Sequence, residues 1–272
     1  MNTQNTLIEE QYNHSGLFED ILGRLITKGV PLDSVSREHV SGIDEFHLRG
    51  AEVSKELVAQ FNFKDLTVLD VGCGLGGPCR MLADEFNCDV HGIDMNKDYI
   101  LTAQKISKLI PTNGSTTFVK GDALDLPYED GFFDVVWTQH VQMNIEDKIT
   151  FYSEIKRVLK DRGAFIYYDI FKKNDLDIYY PVPWANIPSI SHLQTIQNMD
   201  DILSYLEFHK TQTSDQTQGA ISFLQKALKK TQINNHIGLN ILLGELTNEK
   251  LNNVLKSLNE GKIEIQSGIY KK

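Results

Sequence analysis

Asp70, Asp94, Asp122, His140 and Asp169 each stand at or just past the end of a short apolar run. Around the first of them, Gly72, Gly74, Gly76 and Gly77 crowd into six residues. Glycines at a strand-to-helix turn reach backbone angles closed to other residues and let a ligand approach the main chain. The helix that follows aims its free N–H groups at that ligand. Gly72-x-Gly74-x-x-Gly77, with Asp94 seventeen residues further on, has the spacing of a dinucleotide fingerprint. A carboxylate at Asp94 suits ribose hydroxyls, so the pattern implies an adenosine-type cofactor. Asp70, two residues ahead of the first glycine, opposes a pyrophosphate and suits a cationic cofactor. Spacing alone still admits an NAD-dependent oxidoreductase, or a cofactor-binding protein without turnover.

The elements that must position these residues alternate in type. Residues 66–71 read as a buried strand, 79–87 as a helix, 88–94 as a strand and 97–110 as a helix stopped by Pro111. Strands follow at 115–124 and 132–140, a helix at 146–160 and a strand at 164–171. Such alternation predicts a parallel sheet with helices on both faces. Ligands of such sheets bind at the carboxyl ends of the strands, which gathers the acidic residues and His140 on one edge. Residues 1–60 read as a helical cap, 61–172 as a cofactor-binding core, and 173–272 as the rest of the sheet with a substrate loop and an inserted helical lid. In that last part 199–208 reads as a helix and 209–217 as a strand. Residues 219–258 read as helical, with a weak spot at 234–240, and 263–272 as an edge strand.

At this level of detail the chain resembles the class I S-adenosylmethionine-dependent methyltransferases. The resemblance covers about residues 64–171. It rests on LDVGCGLGG (69–77), GIDM (92–95), GDALDLPYEDGFFDVVWTQH (121–140) and EIKRVLKDRGAFIYYD (154–169). It implies a Rossmann-like, mainly parallel seven-stranded sheet with an antiparallel last strand. It assigns Asp70, Gly72 and Gly74 to the methionine part of S-adenosylmethionine and Asp94 to the ribose. It sets Met95 against the adenine, Asp122 on the adenine amino group with Ala123 beside it, and Gln139 and His140 toward the sulfonium and the acceptor. HVQMNIEDK (140–148) and YYPVPWA (179–185) look similar to the small-molecule subgroup that includes sarcosine and dimethylglycine N-methyltransferases. In that subgroup a segment ahead of the first strand reaches the cofactor. HLRG (47–50) has that place, so Arg49 is expected to pair with the methionine carboxylate through two parallel hydrogen bonds.

His140 is the candidate base, because an imidazole titrates near neutrality; its other reading is a histidine that shapes its own loop. His47, Gln142, Asn144, Tyr179 and Trp184 are the candidate acceptor contacts. The aromatic members could wall a pocket for an amine or for a flat apolar molecule. Tyr167 and Tyr168 alternate along one strand, so at most one of them faces the site.

A net charge of −10 argues against a nucleic-acid partner. Cys73, Cys79 and Cys88 have no repeated CxxC spacing, so reduced thiols and no metal site are expected. No signal segment opens the chain, and no long apolar run could span a membrane. The expectation is a cytoplasmic enzyme with a small-molecule methyl acceptor, compatible with a homodimer.

Overall fold

The computed structural model describes residues 11, 12, 14–230 and 238–272. Seven strands form one sheet: β1 (Thr67–Val71), β2 (Asp89–Asp94), β3 (Ser115–Lys120), β4 (Phe133–Gln139), β5 (Leu159–Lys172), β6 (His209–Asp215) and β7 (Ile263–Lys271). Their order is β3-β2-β1-β4-β5-β7-β6. The first five pair in parallel, and β7 runs antiparallel to both of its neighbours. This is the Rossmann-like sheet that the resemblance implies.

Period-two alternation gives β1, β4 and β5 two apolar faces. Val68, Val135, Trp137, Ile166 and Tyr168 pack into one core, while Leu69, Val136, Phe165 and Tyr167 pack into the other. The first core is covered by α3 (Ala51–Val58), α4 (Gly77–Phe86) and α5 (Lys97–Leu109), and the second by α6 (Lys148–Val158) and α7 (Ile196–Tyr205). A smaller core holds α1 (Leu17–Thr27) and α2 (Arg37–Asp44) against α5. The C-terminal helices α8 (Thr217–Lys230), α9 (Asn240–Leu243) and α10 (Thr247–Asn259) join the first core through Leu224, Leu243, Leu251 and Val254.

Several expected boundaries move. The terminal strand is not an edge: β7 lies between β5 and β6, and the polar, exposed β6 is the edge. Six buried residues, Ile263, Ile265 and Ile269 among them, give β7 the character of an interior strand. The helix expected to reach residue 160 stops at Val158, because Leu159 pairs with Phe133 before a bulge. The strand expected to run to 124 ends at Lys120, where Asp122 Oδ1 accepts from the Leu124 N–H at 2.9 Å and turns the chain. Most of the expected weak spot at 234–240 lies outside the described residues.

Helix α4 begins against α2 with no room to spare. A Cβ at Gly77 would stand 2.5 Å from the main-chain oxygen of Asp44. Gly77→Ala should therefore cost about 1–3 kcal/mol of stability, as overpacking against backbone does. A lowered urea midpoint at unchanged slope is the expected reading, and an unchanged midpoint would show that the two helices are free to separate.

Candidate functional site

Three successive main-chain N–H groups fix the turn after β1. Those of Gly72 and Cys73 donate to Ile93 O at 2.7 and 3.0 Å, and that of Gly74 donates to Asp94 Oδ2 at 3.0 Å. Gly72 and Gly74 take φ of 73° and 52°, which glycine alone reaches at low cost. A Cβ at Gly72 would strike Val141 Cγ2 at 2.5 Å, whereas one at Gly74 would meet open space. The open space is a cavity of about 460 Å³ along the carboxyl edge of β1 to β5. It includes the place where the strand order reverses, between β1 and β4, as expected of an open parallel sheet.

The end of the cavity over β1, β2 and β3 is acidic. Asp70, Asp94, Asp122 and Asp44 line it, and no lysine or arginine does so among the described residues. Asp70 is buried, and its carboxylate accepts from the Cys79 thiol at 3.2 Å. Burial first, then the nearby charges of Glu45 and Asp94, push its pKa up to about 7. Asp94 also accepts from the Asn96 N–H at 2.8 Å, yet burial outweighs its two N–H donors and raises its pKa. Asp44 bonds to the fully buried Arg80 at 2.7 Å through one oxygen, while the other oxygen has no partner among the described residues. Met95 and Ala123 line the same region.

The middle of the cavity is set by the turn after β4. His140 takes φ of 54°, an uncommon conformation that histidine tolerates better than most residues. Asp169 holds the turn from below: its Oδ2 accepts from the N–H groups of Val141 and Gln142, each at 3.1 Å. The imidazole of His140 lies flat on Tyr168, with ring centres 5.0 Å apart and planes 12° apart. Its Nε2 is buried without a hydrogen-bond partner among the described residues. Burial, aided by His47, holds its pKa well below the ordinary value, so the ring is neutral at pH 7. His47 stands beside it, with ring centres 6.2 Å apart, and its Nε2 is 2.9 Å from Glu45 Oε2. Gln139 lines the cavity too and accepts from Trp137 Nε1 at 2.9 Å.

Asn144 and Trp184 line the cavity, but their polar atoms are engaged. Asn144 Nδ2 donates to Trp184 O and Ile190 O, its Oδ1 accepts from the Tyr12 hydroxyl, and Trp184 Nε1 donates to Ser191 Oγ.

Three expected residues lie elsewhere. Arg49 is held by Glu52, Glu56 and Gln216, outside the cavity, because α3 places both carboxylates on its side. It does not meet a methionine carboxylate there. Gln142 is turned under the sheet edge, accepting from Tyr152 and Gln194 at 2.7 Å each. Tyr179 faces outward between Lys256 and Lys262, with its hydroxyl on Glu260. Conversely, Tyr12, Asp44, Phe46 and the helix residues Leu243, Leu251 and Val254 line the cavity without having been expected there. Only Leu251 and Val254 had a legible signal, three residues apart on one helical face.

Comparison with known proteins agrees with this geometry. Residues 69–167 match the model of a methyltransferase domain. The chain carries a methyltransferase domain. Its β1 turn, acidic strand ends and post-β4 turn all fall within that domain. The chain is 34% identical over 165 residues to the chloroplastic tocopherol O-methyltransferase of Arabidopsis thaliana, covering 58% of this chain and 47% of that protein. It spans less than half the length of the curated relatives it matches. A geranyl diphosphate C-methyltransferase from Streptomyces coelicolor superposes with a TM-score of 0.71 at 14% identity, over 100% of this chain and 98% of that one. A Galdieria sulphuraria protein described as a sarcosine dimethylglycine methyltransferase gives 0.69 at 15% identity, over 94% of this chain and 98% of that one. These structural likenesses establish the fold. Among the described residues no helix is long and apolar enough to cross a membrane, and no cluster of side chains could hold a metal ion.

Asp70 gives the domain a pH signature. The folded protein holds this proton more tightly than the unfolded chain does, where the carboxyl titrates near 4. Its contribution to stability is therefore full below about pH 4 and is lost as pH rises toward 7, at no more than about 1.4 kcal/mol per unit. Asp70→Asn should gain on the parent protein over that interval, read as the difference in urea midpoints at pH 4.5 and 7.5. Parallel curves would place the titration on another group.

Proposed function

We propose that the chain is an S-adenosylmethionine-dependent methyltransferase that moves a methyl group to a nitrogen or oxygen of a small molecule. The observation that carries this reading is the buried Asp70 and the half-buried Asp94 flanking the glycine turn, in a cavity lined by no lysine or arginine among the described residues. Uncompensated carboxylates of this kind favour a cationic occupant and disfavour a pyrophosphate. When bound, S-adenosylmethionine supplies a methyl group made electrophilic by its sulfonium.

In this reading the main chain at Gly72 and Gly74 holds the methionine part, and Asp70 faces its ammonium. Asp94 keeps free lone pairs on both oxygens for the ribose hydroxyls. Asp122 binds the adenine amino group, with Met95 and Ala123 against the ring. Gln139 is tied to Trp137 and to Ser54, so it orients the site's inner wall. His140, neutral and without a side-chain hydrogen bond among the described residues, takes the proton of a protic acceptor. His47 borders the acceptor beside it. The helices α8–α10 exclude water, which an in-line displacement between aligned groups requires. Three free, buried cysteines support a reducing compartment such as the cytoplasm. A homodimer is compatible with this reading.

Calorimetry with S-adenosylhomocysteine should show saturable binding, weakened about 10- to 100-fold in Asp94→Ala, as the loss of charged hydrogen bonds does. Equal affinity in that variant, or tighter binding of NADH, would remove the cofactor assignment. With methyl-labelled S-adenosylmethionine and a small-molecule extract, label should pass to a product. With a protic acceptor, His140→Ala should lower kcat about 100-fold or more while leaving S-adenosylhomocysteine affinity within a few-fold. An unchanged kcat would assign that histidine to loop shape alone.

A further inference from the structure

The cavity changes character along its length. Among the described residues, its carboxylates and two imidazoles lie between Asp44 and Asp147 in the chain: at the end of α2 and just after it, at the ends of β1 to β4, and just before α6. Every described lining residue that follows Asp147 in the chain is apolar, among them Ile170, Trp184, Leu243, Leu251 and Val254. These five come from the end of β5, the loop after it and the C-terminal helices, and they pack into one core, so they form one apolar wall.

The polar atoms near this wall are already engaged. The Trp184 N–H is donated to Ser191, both partners of the Asn144 amide N–H groups are main-chain carbonyls, and the Asn144 oxygen accepts from Tyr12. His47 Nε2 faces Glu45. The His140 ring alone among these groups has no side-chain hydrogen bond to a described residue. Of the aromatic residues that could wall a pocket for an amine, Trp184 lines the cavity, while Tyr179 points away and lies under two lysines. An anionic acceptor would face Glu146 and Asp147 as well as Asp70, with no lining lysine or arginine among the described residues to offset them.

From this division we infer that the methyl acceptor is an uncharged, largely apolar molecule. It seats its hydrocarbon body against Leu243, Leu251, Val254 and Trp184 and offers one polar atom at His140. This deepens the methyltransferase reading and rests on it for which end of the cavity is the acceptor's. Burying such a body stabilises the complex by about 25 cal/mol per Å² of apolar surface, whereas a charged group against the same wall loses its hydration without a partner.

The test uses N-phenyl-1-naphthylamine, a neutral fluorescent probe, with the full chain saturated in S-adenosylhomocysteine. The probe should bind with enhanced emission. Decan-1-ol should displace it, and ethanolamine at equal concentration should not. Leu251→Asp should weaken the probe about tenfold or more, and Val254→Thr, which keeps the volume and adds one hydroxyl, should weaken it several-fold. Both variants should still bind S-adenosylhomocysteine, which shows that they are folded. Asp94→Ala should lose S-adenosylhomocysteine affinity but keep the probe in its absence. Displacement by ethanolamine, or probe affinity unchanged in both wall variants, would overturn the inference. Failure of S-adenosylhomocysteine to bind the parent protein would instead overturn the cofactor reading.

Discussion

The turn after β1 is anchored by donation in one direction, from its main-chain N–H groups to the end of β2. Two N–H groups converge on the Ile93 carbonyl and a third reaches the Asp94 carboxylate. Most of the site's geometry descends from that anchorage. It sets the start of α4, and α4 carries Arg80 into full burial beneath the cap. Arg80 in turn holds Asp44 at the end of α2 and the main chain of Leu75. The short segment after α2 then delivers His47 to the cavity beside His140, with Glu45 bonded to its ring. A buried cation thus links the helical cap to the glycine turn, and it does so where any loss of one partner would strand the other.

A second anchorage repeats the device on the neighbouring strand pair. Asp169 at the end of β5 takes two N–H groups of the turn after β4, with Ile170 N–H on its other oxygen. Burial pushes its pKa up to about 6, the cost of keeping a carboxylate there. The return is a fixed left-handed His140, stacked on Tyr168 rather than tumbling in the cavity. The cavity is therefore framed by two carboxylates that act on backbone, Asp94 and Asp169.

The parallel half of the sheet was legible because short β-rich runs such as TVLDV, FDVVW and AFIYYDIF alternate there with helical patterns. Asp70, Asp94, Asp122 and His140 were legible for the same reason, since strand ends share one edge. The position of β7 was not legible. Strand order depends on which edge remains open after the helices have packed, and alternation along IEIQSGIYKK does not encode it. Arg49, Gln142 and Tyr179 illustrate a different limit. Each sits within a few residues of the cavity in sequence, but a long side chain goes to the nearest strong partner. Glu52 and Glu56 stand one and two helical turns from Arg49, Tyr152 and Gln194 wait below Gln142, and Lys256, Lys262 and Glu260 surround Tyr179. Tyr12 and Asp44 had no local signal at all, because their places are created by the packing of remote elements.

The strand order also carries a consequence for biosynthesis. β6 hydrogen-bonds to no strand but β7, and β7 fills the gap beside β5. On a ribosome, β1 to β5 can assemble as soon as they emerge. β6, α8, α9 and α10 follow with no sheet partner until Ile263–Lys271 has left the exit tunnel. During that interval β5 presents an open edge of main-chain donors and acceptors. Closure of the sheet is thus a double insertion, in which one strand fills the gap beside β5 and captures another at the same moment.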